Sequence, residues 1–415
     1  MMNEAIIESI PTYTVTVTGY GSVGDGIARL DDGKVVFIRN AARGDILEIR
    51  LQKDKPRSAR AEIVRMLTPS PYRIKPDCPF YTKCGGCDFR HITYEEELEV
   101  KLRRLNDALE RIGGLTVSVS EILRTGQTDG YRNKAVFHTD GHALGFYQSQ
   151  SQKIVPISSC MLLKDDINNA IHNLDPGYEA VIRSGRNGIK PPIEEELDGL
   201  IFRISGFFQV NTGAALLLYK KAREYAALSK NDTLIDLYCG VGSLTLFAGR
   251  DAGYALGIDN NPDAIETAQF NALQNGISHV EFVCADAAKW ASDLTCPDCI
   301  IVDPPRKGLS HGAITKLLEL SPKRIVYISC DPATLARDLR KLEGYTLKEI
   351  CAVDMFPRTA NIECCCLLMQ DTGTARHGDG SLVFACCEDK RTVPVSCYTL
   401  GIAENPRSRS SSVGT

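Results

Sequence analysis

"LIDLYCGVGSLTLFAG", residues 234–249, reads as a buried strand, a glycine-rich turn and the start of a helix. Gly240 and Gly242 let a backbone approach a ligand closely, and Ser243 stands where a helix cap would. The N–H groups at such a helix start are free to meet a ligand. A lone D-x-x-x-G-x-G recurs in many structural turns. Here the next strand, in "ALGIDNNPDAI" (255–265), ends on Asp259, close to the ~20-residue offset of a ribose-binding acid. "VEFVCADAAKW" (280–290) then places Asp286 past a third strand, where adenine would be read. No further glycine follows at G-x-x-G spacing, which favours S-adenosylmethionine over a dinucleotide. The plainer alternative is turn glycines and capping acids that serve structure alone.

Outward from that stretch, apolar runs at 233–237, 254–258, 280–284, 299–303 and 325–329 alternate with helical patterns. Regular strand–helix alternation predicts an α/β doubly wound, Rossmann-like sheet from about residue 206. "CIIVDPPRKGL" (299–309) ends its strand on Asp303, and Pro304-Pro305 fixes a rigid, non-helical turn above the sheet. "IVYISCDPATLARDL" (325–339) puts Cys330 at the carboxyl end of the neighbouring strand, the edge where open α/β sheets bind ligands. By itself a cysteine is most often a buried apolar filler. Asp-Pro-Pro turns, however, resemble those lining the base pocket of nucleobase methyltransferases, and Cys330 stands beside one.

"VDMFPRTANIECCCLL" (353–368) supplies a loop and then a strand, with Glu363 at the junction. Alkylating C5 of a pyrimidine calls for such a pair. C5 of uracil is a poor nucleophile until a thiolate adds at C6, and the C5 proton must later leave to a base. Glu363 as a solvated strand-end charge is the bland alternative.

The totals bound the rest. At 415 residues the chain exceeds one ordinary core, and 43% hydrophobic with 24% charged residues describes a globular protein. No apolar run approaches the ~20 residues of a membrane span. "MMNEAIIESIP" (1–11) lacks a basic n-region, so no signal peptide is expected. The 16 cysteines then point to a reducing, cytoplasmic location. Net charge of −4 argues against a uniformly basic nucleic-acid binder. A local basic face is expected in the alternating segment 12–67, which reads as a small OB-type β-barrel. Arg43, Arg50, Lys53, Lys55, Arg57, Arg60 and Arg65 would track a phosphate backbone there, or merely guard an exposed sheet edge.

The expected organisation is a barrel at 1–68, a linker with a small central α+β domain at 69–205, the sheet domain at 206–370, and a tail at 371–415. The tail has little periodicity and is expected to be partly disordered. In the linker, "CPFYTKCGGCDF" spaces Cys78, Cys84 and Cys87 as C-x5-C-x2-C, and Cys160 follows in "PISSCMLL". Three clustered cysteines plus a distant fourth suit a [4Fe–4S] cluster or a four-cysteine zinc site, and the spacing alone does not choose between them.

Together these motifs resemble the RNA uracil-5-methyltransferase family, in its 23S rRNA branch. The likeness runs over about residues 12–368. It is carried by the TRAM-like barrel, C-x5-C-G-G-C with Cys160, "GFFQVN" (206–211), "DLYCGVGSLTL", "VDPPRKGL", "SCDPATLARDL" and "FPRTANIE". The resemblance implies that Cys330 is the nucleophile and Glu363 the base. It also implies that Gln209, Tyr238, Ser243, Asp259, Asp286 and Asp303 contact S-adenosylmethionine. Cys78, Cys84, Cys87 and Cys160 would hold a [4Fe–4S] cluster, and the partner would be 23S rRNA with its target base flipped out. A monomer without membrane contact is expected.

The same motifs leave room for a tRNA enzyme, or for an inert RNA-binding assembly factor. The barrel and cysteine cluster favour rRNA, because the tRNA branch typically lacks both. A DNA cytosine-5 enzyme would carry Pro before its cysteine, where this chain has Ser329. Asn361 stands where the family commonly has His two residues before the glutamate, and an amide cannot titrate. Cys364, Cys365 and Cys366 point alternately to opposite faces of one strand, which reads as buried filler. His377, Cys386, Cys387 and Cys397 are a weaker candidate for a second metal site.

Overall fold

The computed structural model describes residues 11–290 and 296–371. Six strands come first: β1 (Thr12–Thr16), β2 (Gly19–Tyr20), β3 (Gly26–Arg29), β4 (Val35–Ile38), β5 (Ile46–Asp54) and β6 (Ser58–Thr68). They form one curled, barrel-like sheet in the order β1-β5-β6-β4-β3-β2. Period-two alternation sends Val15, Val36, Ile38, Leu47 and Ile49 into its core. The basic face is narrower than the sequence suggests. Arg43 pairs with Glu96, Arg50 with Glu62, Arg60 with Asp25 and Arg65 with Glu48. Lys53, Lys55 and Arg57 remain exposed around the β5–β6 turn.

Helix α1 (Tyr94–Arg111) begins at an N-cap, where the Thr93 hydroxyl accepts the Glu96 N–H at 3.3 Å. After β7 (Ile122–Leu123) come β8 (Lys134–Thr139), β9 (Leu144–Tyr147), β10 (Ile154–Pro156), α2 (Asp165–Ile171) and β11 (Ala180–Arg183). Their four-stranded sheet, β10-β9-β8-β11, packs Phe137, Leu144 and Ile157 against Ile167 and Ile171 of α2. A hairpin of β12 (Glu194–Leu197) and β13 (Leu200–Arg203) leads on to α3 (Thr212–Ala226).

The large sheet uses β14 (Thr233–Leu237), α4 (Ser243–Gly249), β15 (Tyr254–Asp259), α5 (Pro262–Gln274) and β16 (Val280–Cys284). It continues with β17 (Cys299–Val302), α6 (His311–Leu320), β18 (Arg324–Ser329), α7 (Pro332–Leu339), β19 (Tyr345–Val353) and β20 (Glu363–Gln370). The order is β16-β15-β14-β17-β18-β20-β19-β7, with β14 to β18 parallel and β20 antiparallel to both neighbours. Leu234, Ile301, Val326 and Ile328 face α3, α4 and α5; Ile235, Val302, Ile325 and Tyr327 face α1, α6 and α7. Burial on both faces explains the near-continuous apolar runs. The alternation breaks between β19 and β20 and also between β16 and β17, where the described residues carry no helix, only a turn in which Lys289 and Trp290 N–H groups bond the Asp286 carbonyl.

Candidate active site

Tyr238, Asp259, Asp286, Asp303 and Cys330 lie at or just past the carboxyl ends of β14 to β18. Strand order reverses between β14 and β17, so this edge holds the crevice where open α/β sheets bind ligands. Tyr238 is left-handed (φ 68), as are Gly240 (φ 55) and Gly242 (φ 77). A Cβ at Gly242 would sit 2.7 Å from the Phe282 ring, whereas one at Gly240 would meet no protein atom within 4 Å. The space above the turn is therefore open, while the turn itself is pressed onto the sheet. Asp259 ties the turn to its strand: its carboxylate accepts the Gly240 and Asn261 N–H groups, each at 2.9 Å. Asp286 accepts the Ala288 N–H at 2.8 Å, and its charge and that of Asp259 add to burial in raising the Tyr238 phenol.

Ser243 does not cap its helix. Gly242 holds the cap position, and the Ser243 hydroxyl, turned inward, meets Tyr219 Oη of α3 at 2.9 Å. Beneath the turn, Asp236 accepts the Thr245 hydroxyl at 2.5 Å, and its other oxygen is buried without a hydrogen-bond partner among the described residues. Burial, with Asp303 and Asp259 nearby, pushes Asp236 up to about 8. Gln209 is buried on the strap before α3; two residues on, the Asn211 amide bonds the Met355 carbonyl at 3.2 Å.

Register brings Cys330 and Glu363 together. The last antiparallel pair of β18 and β20 is Ser329 with Cys364, so the next step sets Cys330 across from Glu363. Glu363 is buried, and desolvation followed by the Asp303 charge raises it well above the ordinary carboxylate range, with Arg306 opposing. Asp303 is pushed up to about 7 by burial. Cys330 is half-buried; desolvation and then Glu363 push its thiol up to about 11, again against Arg306. One cation, Arg306, thus acts on both the thiol and the Glu363 carboxyl, which is a site poised to hold and release protons. The three following cysteines, Cys364, Cys365 and Cys366, are buried strand residues packed into alternate cores.

Cys78, Cys84, Cys87 and Cys160 all line one cavity of about 430 Å³, with Phe80, Phe146 and Arg90 around them. Asn168 holds the Cys160 backbone by a pair of bonds, at 2.8 and 3.0 Å. Burial pushes Cys87 up to about 12, and the Arg90 guanidinium beside it works the other way. Among the described residues no three His, Cys, Asp or Glu side chains converge as for a single metal ion. His377, Cys386, Cys387 and Cys397 lie outside the described residues.

Three family models match the chain: the TRAM domain over residues 11–64, the methyltransferase small domain over 206–325, and tRNA (Uracil-5-)-methyltransferase over 292–371. An uncharacterized RNA methyltransferase of Bacillus cereus is 31% identical, covering 83% of this chain and 94% of its own. The chain belongs to the RNA uracil-5-methyltransferase family. A further relative, an uncharacterized RNA methyltransferase of Caldanaerobacter subterraneus, is 31% identical over 85% of this chain and 96% of its own. The Pyrococcus abyssi tRNA (uracil-54, C5)-methyltransferase, solved with S-adenosyl-L-homocysteine, superposes with a TM-score of 0.69 at 27% identity. It covers 86% of this chain and 99% of its own. S-adenosylmethionine-dependent methylation of RNA is therefore this chain's activity at the level of the family. Among the described residues no helix is long and apolar enough to cross a membrane.

One part of this methyltransferase escaped the sequence reading. The loop 354–362, which delivers Glu363, is anchored on α1 by a buried network. Lys101 Nζ donates to Glu97 and Asp354 carboxylates, each at 2.7 Å, and to the Phe356 carbonyl at 3.1 Å. Tyr94 Oη donates to Asp354 at 2.5 Å, and Arg104 to the Ala360 carbonyl at 2.7 Å. Tyr94, Glu97, Lys101 and Arg104 share one helical stripe at three- and four-residue steps. The signal was present as that stripe, but charged residues at such spacing ordinarily mark a solvated face.

Proposed function

We propose that the protein methylates C5 of uridine in 23S rRNA, as a cytoplasmic monomer, through a covalent thiol adduct. The observation that carries this reading is the register opposition of Cys330 and Glu363 at the ligand-binding edge of the sheet. Cys330 adds to C6 of a flipped uridine and so makes C5 nucleophilic. S-adenosylmethionine supplies an electrophilic methyl group on a sulfonium. Glu363 then takes the C5 proton, and the electron pair left behind expels the Cys330 thiolate from C6. Arg306 favours the ionised forms of both groups, opposing the burial that neutralises them.

Gln209, Tyr238, Ser243, Asp259, Asp286 and Asp303 are the residues assigned to S-adenosylmethionine. The open space above Gly240 fits such a group, and the acids around it suit a cationic sulfonium. Ser243 would act through the inward hydroxyl that meets Tyr219, as a floor to the pocket.

Cys78, Cys84, Cys87 and Cys160 are assigned to a [4Fe–4S] cluster. Four thiols around one cavity suit a polynuclear group, whose irons spread the ligands. A tetrahedral zinc ion with ~2.3 Å bonds would draw thiolates to within ~3.8 Å of one another. The methyl transfer needs no electron, so the cluster's part is structural.

A tRNA substrate is the second reading, and one observation favours it. The superposed Pyrococcus abyssi enzyme acts on tRNA and matches 86% of this chain, far more than the large sheet alone. The barrel therefore does not separate the two RNAs. Mapping 5-methyluridine in rRNA and tRNA from a deletion strain tests both. Loss of a mark in 23S rRNA alone supports the first reading, and loss in tRNA alone replaces it with the second.

A further inference from the structure

We infer that Asp88, the residue after Cys87, is a positioning residue for proton abstraction: it locks the loop that carries Glu363. This rests on the assignment of Glu363 as the base. Two bonds hold Asp88 to that loop, and its neighbour Phe89 adds a third. Its carboxylate accepts the Ala360 N–H at 2.9 Å. Its own N–H donates to the Arg358 carbonyl at 2.9 Å, and Phe89 N–H reaches the same oxygen at 3.2 Å. From the other side, the Glu97 carboxylate accepts the Arg358 N–H at 2.7 Å, and Arg104 bonds the Ala360 carbonyl at 2.7 Å.

Arg358 needs that restraint. It is left-handed (φ 69), a conformation that disfavours a side chain and persists only where the surroundings over-determine it. Without the Asp88 carboxylate, Ala360 loses the bond to its N–H, three residues before Glu363, and the turn at Arg358 rests on its remaining backbone bonds and Glu97. Addition at C6 does not use the loop, because Cys330 directly follows β18. Removal of the C5 proton does use it, and a misplacement of ~1 Å near a reacting group slows a step by ~100-fold. The motif that gathers the thiols is thus joined by one peptide bond to the clamp on the base.

The test uses full-length protein and a uridine RNA substrate, following both the protein–RNA adduct on denaturing gels and 5-methyluridine over time. For Asp88→Ala, adduct formation stays within ~2-fold of the unsubstituted protein, while adduct decay slows at least ~10-fold. Iron content and S-adenosylmethionine binding stay unchanged. Asp88→Asn, whose amide oxygen accepts the same N–H, restores decay to within ~3-fold. Adduct decay at the unsubstituted rate in Asp88→Ala overturns the inference. So does a proportional fall in adduct formation, cofactor binding and iron, which marks a merely structural residue. Should Asp88→Ala not fold, Asp88→Glu, which keeps the charge and overshoots Ala360, is read by the same two rates. Glu363→Gln separates the levels: a persistent adduct there with normal decay in Asp88→Ala rejects Asp88 alone. No adduct in Glu363→Gln rejects the base assignment beneath it.

Discussion

Cys330 and Glu363 lie one register step beyond the Ser329–Cys364 pair of β18 and β20, and the Glu363 charge raises the thiol. Their chain separation is closed by β20, the one strand of the large sheet among the described residues that runs antiparallel to the rest, which delivers a carboxyl to the strand end bearing the thiol. Burial and then the Glu363 charge raise the Cys330 thiol, while burial and the Asp303 charge raise Glu363.

Cys330→Ala should therefore remove methylation below about 1% of the normal rate. S-adenosylmethionine binding, measured by calorimetry, should change less than ~2-fold, because the thiol acts on the base. Turnover at a tenth of normal would reject the nucleophile assignment.

Asp303 gives a pH signature. Its folded pKa of about 7 lies above the ordinary 3.8, so its contribution to stability is full below the unfolded pKa. That contribution is lost as pH rises from about 4 through 7, as the half-buried carboxyl ionises. Asp303→Asn should raise the stability of the ligand-free protein at pH 8 relative to pH 5, on the order of 1 kcal/mol after solvent screening. Conversely, cation binding favours the ionised carboxyl. S-adenosylmethionine should bind the unsubstituted protein more tightly at pH 8 than at pH 6, and S-adenosylhomocysteine, without the sulfonium charge, should show less change. Equal pH slopes for the two ligands would contradict this.

The parallel sheet and its carboxyl-edge residues were legible because strands buried on both faces leave plain apolar runs, each ending in a polar residue. Glu363 was legible as a chemical requirement, but its register against Cys330 was not, since pairing in a sheet leaves no local mark. Ser243 was misread as a cap because Gly242, left-handed, already fills that position. The α1 anchor was hidden for a different reason. Lys101 and Asp354 are 253 residues apart, and a charged helical stripe looks the same whether it meets water or a buried acid.

That buried network predicts a large stability effect. Lys101→Ala leaves Asp354 without its ion pair and Glu97 with only Arg358 at 3.8 Å, and unfolding should be easier by ~3–5 kcal/mol. Chemical denaturation would check it; a change under ~1 kcal/mol would mean the acids find another partner.

Anaerobically purified protein should be brown and carry about four irons per chain. Cys78→Ser should lose iron and weaken RNA binding more than S-adenosylmethionine binding, whose pocket lies at the large sheet. One zinc and no iron would refute the cluster and leave the methyl-transfer chemistry standing.

The central claim is tested most directly by Glu363→Gln with uridine RNA and S-adenosylmethionine on a denaturing gel. Addition by Cys330 and methyl transfer do not need the carboxylate, whereas release does, so a shifted protein–RNA band should accumulate and free 5-methyluridine should fall at least ~100-fold. Full product formation with no shifted band would contradict the account.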